Sequence, residues 1–202
     1  MKNRSLLIIL PILSLLWLAS TIIIGGIYYP NYSHTSQFIS ELGATGSPYG
    51  NYINYLGFIP TELLMFGFIA VCYKTLPASY LNKLGLLFIF FYSASLTIAS
   101  LYPCDFECKP ETPTTSHLIH IFSALPGYLG GITSILVLSF SSNNWNQEPS
   151  FKIASFTIAI LASSAFLNIS SDSNIVGVYQ RILEVLIYSW FIFFGYQLSR
   201  QS

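Results

Sequence analysis

The sequence predicts an all-α integral membrane bundle of six transmembrane helices. Three observations carry this expectation. The 202-residue chain is 53% hydrophobic and 16% aromatic, and only 8% of it is charged, against roughly 25% in soluble domains. Its charges sit in short clusters, around Lys2 and Arg4, Lys74 and Lys83, Asp105 to Glu111, Glu148 and Lys152, and Arg200. Between the clusters run apolar stretches of about the 20 residues that a helix needs to cross a bilayer. A backbone in hydrocarbon must satisfy its own hydrogen bonds, so runs of this length form helices.

The first span is read from Leu6 to Tyr29. It follows a short basic start, but it exceeds the roughly 7 to 15 apolar residues of a signal core, and no small-x-small cleavage site follows it. A cleaved signal is therefore the lesser reading. The remaining spans are Tyr52 to Tyr73, Leu84 to Leu101, His117 to Phe140, Phe151 to Ile169 and Val176 to Leu198. Turn chemistry separates spans two and three at Leu76-Pro77-Ala78-Ser79, and a polar stretch with Asn143-Asn144 separates four and five. No solenoid period is present, and the two halves share no motif, so residues 1–202 form one domain.

Orientation follows from the basic residues. With both termini in the cytoplasm, Lys2, Arg4, Lys74, Lys83, Lys152 and Arg200 lie inside, and only Lys109 and Arg181 lie on or near the far side. This places a multi-pass protein in the cell membrane with its polar loops, Pro30 to Gly50, Tyr102 to Ser116 and Ser170 to Ile175, on the non-cytoplasmic face. The formal net charge is zero and there is no basic stripe, so the electrostatic footprint of nucleic-acid binding is missing. Membrane lipids are the expected partners.

The candidate chemistry gathers in those loops. In the first, Phe38, Ile39 and Leu42 among hydroxylated residues suggest a short amphipathic segment at the interface, capped by Ser36 or Ser40 and ended by Gly43. The plain alternative is an ordered connection. In the second, Ser116 is the expected N-cap of a helix that sets His117 and His120 three apart on one face. With His34, they make a three-His set near Glu41 and Asp105, which matches a catalytic zinc site in ligand type. The spacing is not that of a two-His helical zinc motif, and simple packing with hydrogen bonds to loop carboxylates is the competing reading. Cys104 and Cys108, four apart, are close enough to bridge if the loop bends, while a metal pair would need further ligands. Cys72 lies in an apolar run and reads as a core residue.

Ionisable groups also fall inside spans, where they are expensive and need a partner or a polar cavity. Glu62 lies about halfway along span two, after Pro60, and Arg181 and Glu184 lie in the outer half of span six. Arg181 is expected to pair with Glu184 one turn on, or with Glu62 or Glu41 across helices. The sharper reading makes Arg181 a site for a lipid phosphate or carboxylate. Pro126, Gly127, Gly130 and Gly131 suit close helix packing and a kink in span four.

The run Ser36-Gln37-Phe38-Ile39-Ser40-Glu41-Leu42-Gly43, followed by Ser47-Pro48, resembles a bacterial membrane family catalogued as domain of unknown function 998. Tyr102-Pro103 with Asp105, then His117 and His120, then Gln180-Arg181-Ile182 with Trp190, match it in order. The resemblance implies a multi-span membrane protein and supplies no activity. Ile39-Ser40-Glu41-Leu42-Gly43 is similar to the Ile-Ser-Asp-x-Gly motif of the Frag1/DRAM six-span group, with Glu in place of Asp. Resemblance to the transmembrane hydrolases that include alkaline ceramidases implies zinc with a Ser, an Asp and three His. Ser40, Asp105, His34, His117 and His120 supply the residue types, but those proteins have seven spans and a late His pair four apart.

Three functions follow as expectations. The first is a pocket of Glu41, Asp105, His117, His120 and Arg181 that engages a lipid head group, with Glu184 and Glu62 as deeper contributors. The second is a zinc-dependent membrane hydrolase with Ser40, Glu41 or Asp105 as its catalytic groups. The third is a small transporter built on Glu62, Arg181 and Glu184.

Overall fold

The computed structural model describes residues 2–146 and 148–201. Gln147, in the polar stretch expected between spans four and five, lies outside them, as does the side chain of Lys2 counted in the charge bias. Six helices are long and apolar enough to cross a membrane: α1 (Lys2–Tyr28), α2 (Gly50–Thr75), α3 (Tyr80–Leu101), α4 (Thr115–Ser141), α5 (Pro149–Leu167) and α6 (Val176–Ser199). No strand is present among the described residues. The protein is an all-helical, multi-pass membrane protein.

Local chemistry fixes the helix ends. Ser79 Oγ accepts the Asn82 amide at 3.1 Å to start α3, and Pro149 sits in the first turn of α5, where its missing N–H costs nothing. The cap of α4 is Thr114, whose Oγ1 accepts the His117 amide at 3.3 Å, and not Ser116. Ser116 Oγ is drawn instead to the Pro103 carbonyl at 2.8 Å.

Inside α2, the turn at Ile53–Phe58 widens to a π-helix just before Pro60. Proline cannot donate to the carbonyl four residues back. That carbonyl, Leu56 O, accepts the Trp17 indole N–H at 2.9 Å instead, and Thr61 Oγ1 donates to Gly57 O at 3.0 Å. The break in the ladder is thus filled by a side chain of α1. A Cβ on Gly57 would collide with Thr21 of the same helix, so the contact is close as well as polar.

The helices form a ring in which each packs on its sequence neighbours and α1 closes against α6. The tightest pairing is α3 on α4, where Gly127, Gly130 and Gly131 admit Ser95, Phe91 and Tyr92. Helix α6 also reaches across to α2 and α4. Its inner face, with Leu183, Ile187, Tyr188, Trp190, Phe191 and Phe194, is fully buried. Trp190, Tyr92 and Tyr188 therefore belong to the core and not to an interface belt. Apolar side chains such as Ile27, Phe122 and Leu167 remain exposed on the outside of the ring, as a lipid-facing surface requires.

The loops at one end, residues 30–49 and 102–114, distinguish it from the end that carries the chain termini. The first loop does not lie flat as an amphipathic surface segment. Its Ile39–Gly43 turn is a short 3-10 helix with Ile39, Glu41, Leu42 and Gly43 buried, and it plugs the mouth of the ring.

Candidate functional site

The plug is held by α6. Val178 N donates to Thr35 O at 3.2 Å, and the Gln180 amide oxygen accepts the Ile39 N–H at 2.7 Å. A Cβ at Gly177 would run into the carbonyls of Gln37 and His34, so glycine at the start of α6 is what lets the loop lie against it. Asn54 Nδ2 donates to Gly43 O at 2.8 Å and fixes the far side of the plug to α2. Within the turn, Glu41 accepts from Gln37 Nε2 at 2.7 Å and from the Phe38 amide at 2.9 Å. Burial pushes its carboxyl above the ordinary glutamate range, against the lowering effect of those two hydrogen bonds.

Arg181 does not form the ion pair expected from the sequence. Its Nη1 donates to Gln37 O at 3.2 Å and Gly177 O at 2.9 Å. Its Nη2 meets the Tyr32 hydroxyl at 2.8 Å and His34 Nδ1 at 3.1 Å. Every one of these partners is neutral. Tyr32 in turn donates to Phe38 O at 2.8 Å, and burial holds its hydroxyl up to about 12 despite the neighbouring guanidinium. His34 is exposed; partial burial first, then the Arg181 charge, holds its pKa below the ordinary histidine value. Its Nδ1 is occupied as an acceptor, which leaves Nε2–H as a donor. The only pairing of a basic and an acidic side chain within 4.0 Å among the described residues is His117 with Asp105.

Beside this cluster, α1 and α6 enclose a groove of about 330 Å³. Leu15, Leu18, Ile22, Ile23 and Val185 line its length, and Arg181 and His34 form its polar end.

Deeper in the ring, a carboxylate is gripped by two tyrosines. Glu184 accepts from Tyr92 OH at 2.6 Å and Tyr128 OH at 2.8 Å, and Gln180 Nε2 donates to Tyr128 OH at 3.1 Å. A hydrogen-bonded chain therefore runs from the Ile39 backbone through Gln180 and Tyr128 to Glu184 and Tyr92. Below it, Ser14 Oγ bridges Thr61 O at 2.8 Å and Tyr188 OH at 3.1 Å. A cavity of about 60 Å³ adjoins the chain, lined by Glu62, Glu184, Gln180, Asn54 and His120 with Ser40 and Pro103 at the loop side. Leu18, Ile39 and Glu184 line both this cavity and the groove.

The second loop is stapled across the plug. Cys104 and Cys108 are joined by a disulfide, Thr45 N donates to Cys104 O at 2.8 Å, and Ser40 Oγ lies 3.4 Å from Cys108 Sγ. A disulfide sulfur carries no hydrogen, so Ser40 is the donor there. Asp105 accepts from the Thr114 amide at 2.9 Å and its hydroxyl at 2.7 Å, which hold its carboxyl below the ordinary aspartate range. The Asp105 amide donates to His117 Nδ1 at 3.2 Å, so that nitrogen is an acceptor and not a charged partner of Asp105 Oδ2. His120 Nδ1 lies 2.7 Å from Ala99 O and 3.2 Å from Tyr102 O, and donates there.

The candidate residues thus separate into four places. Arg181 and His34 share the groove end; Glu62, Glu184, His120 and Ser40 share the cavity; Asp105 and His117 build the second loop, and Glu41 braces the plug. The expected three-His zinc set is not assembled, because His34 is bound to Arg181 while His117 and His120 are tied to the second loop and the end of α3. No group of three His, Cys, Asp or Glu side chains arranged to hold a metal occurs among the described residues.

Tyr92 and Tyr128 are central and the sequence does not single them out, while Gln180 enters it only within the family motif. The available signal was spacing: Gln180, Glu184 and Tyr188 recur every four residues, which places three polar groups on one face of an apolar helix. The family described as "Protein of unknown function (DUF998)" matches residues 12–196, and the chain belongs to it. No curated protein and no solved structure matches the chain.

Proposed function

We propose that this member of the DUF998 family binds an anionic membrane lipid between α1 and α6, with an acyl chain in the apolar groove and the head group at Arg181 and His34. One observation carries the reading: among the described residues no carboxylate lies within 4.0 Å of Arg181, and it stands at the polar end of an apolar groove. A cation at membrane depth is costly unless an anion or a polar cavity compensates it. Four of its five N–H groups are spent on neutral acceptors. They hold the guanidinium in place, and the fifth, on Nε, is buried, so Arg181 offers an anion in the groove its charge while His34 offers the hydrogen bond.

His34 supports the same reading. Accepting from Arg181 at Nδ1 leaves its Nε2–H free on an exposed ring. A phosphate oxygen there gains a neutral donor beside a fixed positive charge, a combination suited to a phosphodiester.

The test is the lipid retained by protein purified in mild detergent and weighed intact by mass spectrometry. Wild type is expected to retain anionic phospholipid over zwitterionic phospholipid. Arg181→Leu should lose it by about fivefold, as expected for removing one fixed positive charge worth about 1 kcal/mol beside an anionic lipid. Arg181→Lys keeps the charge without the clamp on the first loop, and should retain most of the preference. No preference in wild type, or an unchanged one in folded Arg181→Leu, overturns the reading.

A further inference from the structure

The cavity between α2, α3, α4 and α6 holds a feature that lipid binding does not use. Glu62 is 4% exposed, lines the cavity, and its Oε2 has no hydrogen-bond partner. Its nearest donor is Ser93 Oγ, a neutral hydroxyl that faces Glu62 without a well-aligned hydrogen bond. Glu184, on the same cavity, has both oxygens occupied by tyrosine hydroxyls. No lysine or arginine among the described residues lines the space, and the one histidine there, His120, has its Nδ1 committed to backbone carbonyls. A buried carboxylate with one neutral hydroxyl beside it and no cation is costly, by several kcal/mol if it carries charge.

The volume bears on what completes it. A water molecule takes up roughly 10–15 Å³ of such space, so about 60 Å³ admits about four to six water-sized particles. That suits a small ion with part of its water shell and excludes a bulky organic cation. The available charge suits a monovalent ion. Divalent calcium takes six to eight oxygens, usually with several carboxylates, whereas here only Glu62 has an unclaimed carboxylate oxygen. The other oxygens on the wall come from neutral groups such as Ser100, Ser40 and Asn54.

We propose that this cavity is a binding site for a small, partly hydrated monovalent cation such as sodium, held by Glu62 with Glu184 and its tyrosines as the fixed back wall. The site shares Glu184 as a wall with the groove, but the two readings fail separately, because one turns on Glu62 and the other on Arg181. Its position beneath the Ile39–Gly43 plug makes the bound ion a stabiliser of the polar half of the bundle.

The experiment measures the unfolding midpoint of the detergent-purified full chain at pH 8 as sodium replaces tetramethylammonium at constant ionic strength. Sodium should raise the midpoint with the logarithm of its concentration once above its dissociation constant, by about 5 to 10 °C at a hundredfold excess. Tetramethylammonium, too large for the cavity, should not. Glu62→Gln should abolish the response while leaving the sodium-free midpoint equal or higher. A wild-type midpoint indifferent to sodium, lithium and potassium overturns the site whether or not the variant folds. An unchanged sodium response in folded Glu62→Gln overturns it as well, and a midpoint that follows pH but no metal cation assigns the cavity to a proton instead.

Discussion

The two ends of the helical ring are built on opposite principles, although α6 runs through both. At the loop end, α6 contributes Gln180 and Glu184, and the space between the helices holds hydroxyls, carboxylates and a cavity. Toward the termini, the same helix contributes Trp190, Phe191 and Phe194, all fully buried. Trp190 stacks on Phe194 with ring centres 5.1 Å apart and planes 4° from parallel. Trp145 meets Phe151 edge-on at 5.0 Å and Phe194 at 5.4 Å. A Cβ on Gly195 would strike the Leu7 carbonyl, so the backbone itself is drawn in. One half is a dry aromatic seal, the other a polar chamber closed by a loop. The difference teaches that a membrane bundle can keep the packing that holds it together apart from the chamber that holds its buried carboxylates.

Truncation on the sealed side is the strongest way to break this comparison. Trp190→Ala should cost about 3–5 kcal/mol, the range for removing a large aromatic from a core, and also strips the 2.8 Å partner from Ser155 Oγ. Chemical unfolding in detergent measures it. The folded fraction should keep the lipid preference of wild type; losing that preference along with stability would mean that the halves are not separable.

Tyr128→Phe tests the polar side with almost no change in volume. It removes the donor to Glu184 and the acceptor of Gln180, leaving two buried groups unsatisfied at about 1–3 kcal/mol each before relaxation. The expected loss is about 2–3 kcal/mol in the same assay, though only one oxygen is deleted. A neutral result would show that water already fills the cavity and replaces the hydroxyl.

The sequence made the scaffold legible and the chamber only in part, for physical reasons. Apolar runs such as Leu84 to Leu101 admit one solution in hydrocarbon, and all six expected spans have counterparts within a few residues. Glu62, Arg181 and Glu184 stood out because charge in such runs is costly. Their partners did not, since pairing across helices depends on how the ring closes. Nothing local indicates that Arg181 takes Tyr32 and His34 in preference to Glu184, because the choice rests on where the first loop lies against α6. Tyr92 and Tyr128 look like any aromatic residue of a membrane helix until α3 and α4 bring both hydroxyls to one carboxylate. Ser116 carried a correct cap signature that lost to Thr114, because the Pro103 carbonyl needed a donor.

The covalent staple has a smaller effect. Replacing Cys104 and Cys108 by serine opens a loop of about five residues, worth about 2 kcal/mol by chain entropy. Thr45 N and Asp105 still hold the second loop in place. The expected signature is therefore faster proteolysis within residues 102–114 with a modest fall in the unfolding midpoint. A collapse as large as that of Trp190→Ala would mean that the loop end, and not the aromatic seal, sets the stability of the ring.

The finest discrimination is by pH, because the two loop carboxylates are perturbed in opposite directions. Burial raises Glu41 above its ordinary value of 4.5, so its folded form favours the proton. Its contribution is complete below that value and is lost as pH rises through the folded pKa. Hydrogen bonds from Thr114 lower Asp105 below 3.8, so its contribution is complete above that value and is lost as pH falls through the folded pKa. The two windows lie on either side of about pH 4 and do not overlap. The unfolding midpoint of Glu41→Gln, relative to wild type, should therefore climb as pH rises from 4.5, and that of Asp105→Asn should climb as pH falls below 3.8. A constant offset is expected in Glu41→Gln, since the introduced amide oxygen can replace only one of the two acceptor oxygens now facing Gln37 and Phe38. The slope against pH is the readout, and a flat difference for Glu41→Gln above pH 4.5 would show that the plug opens to water.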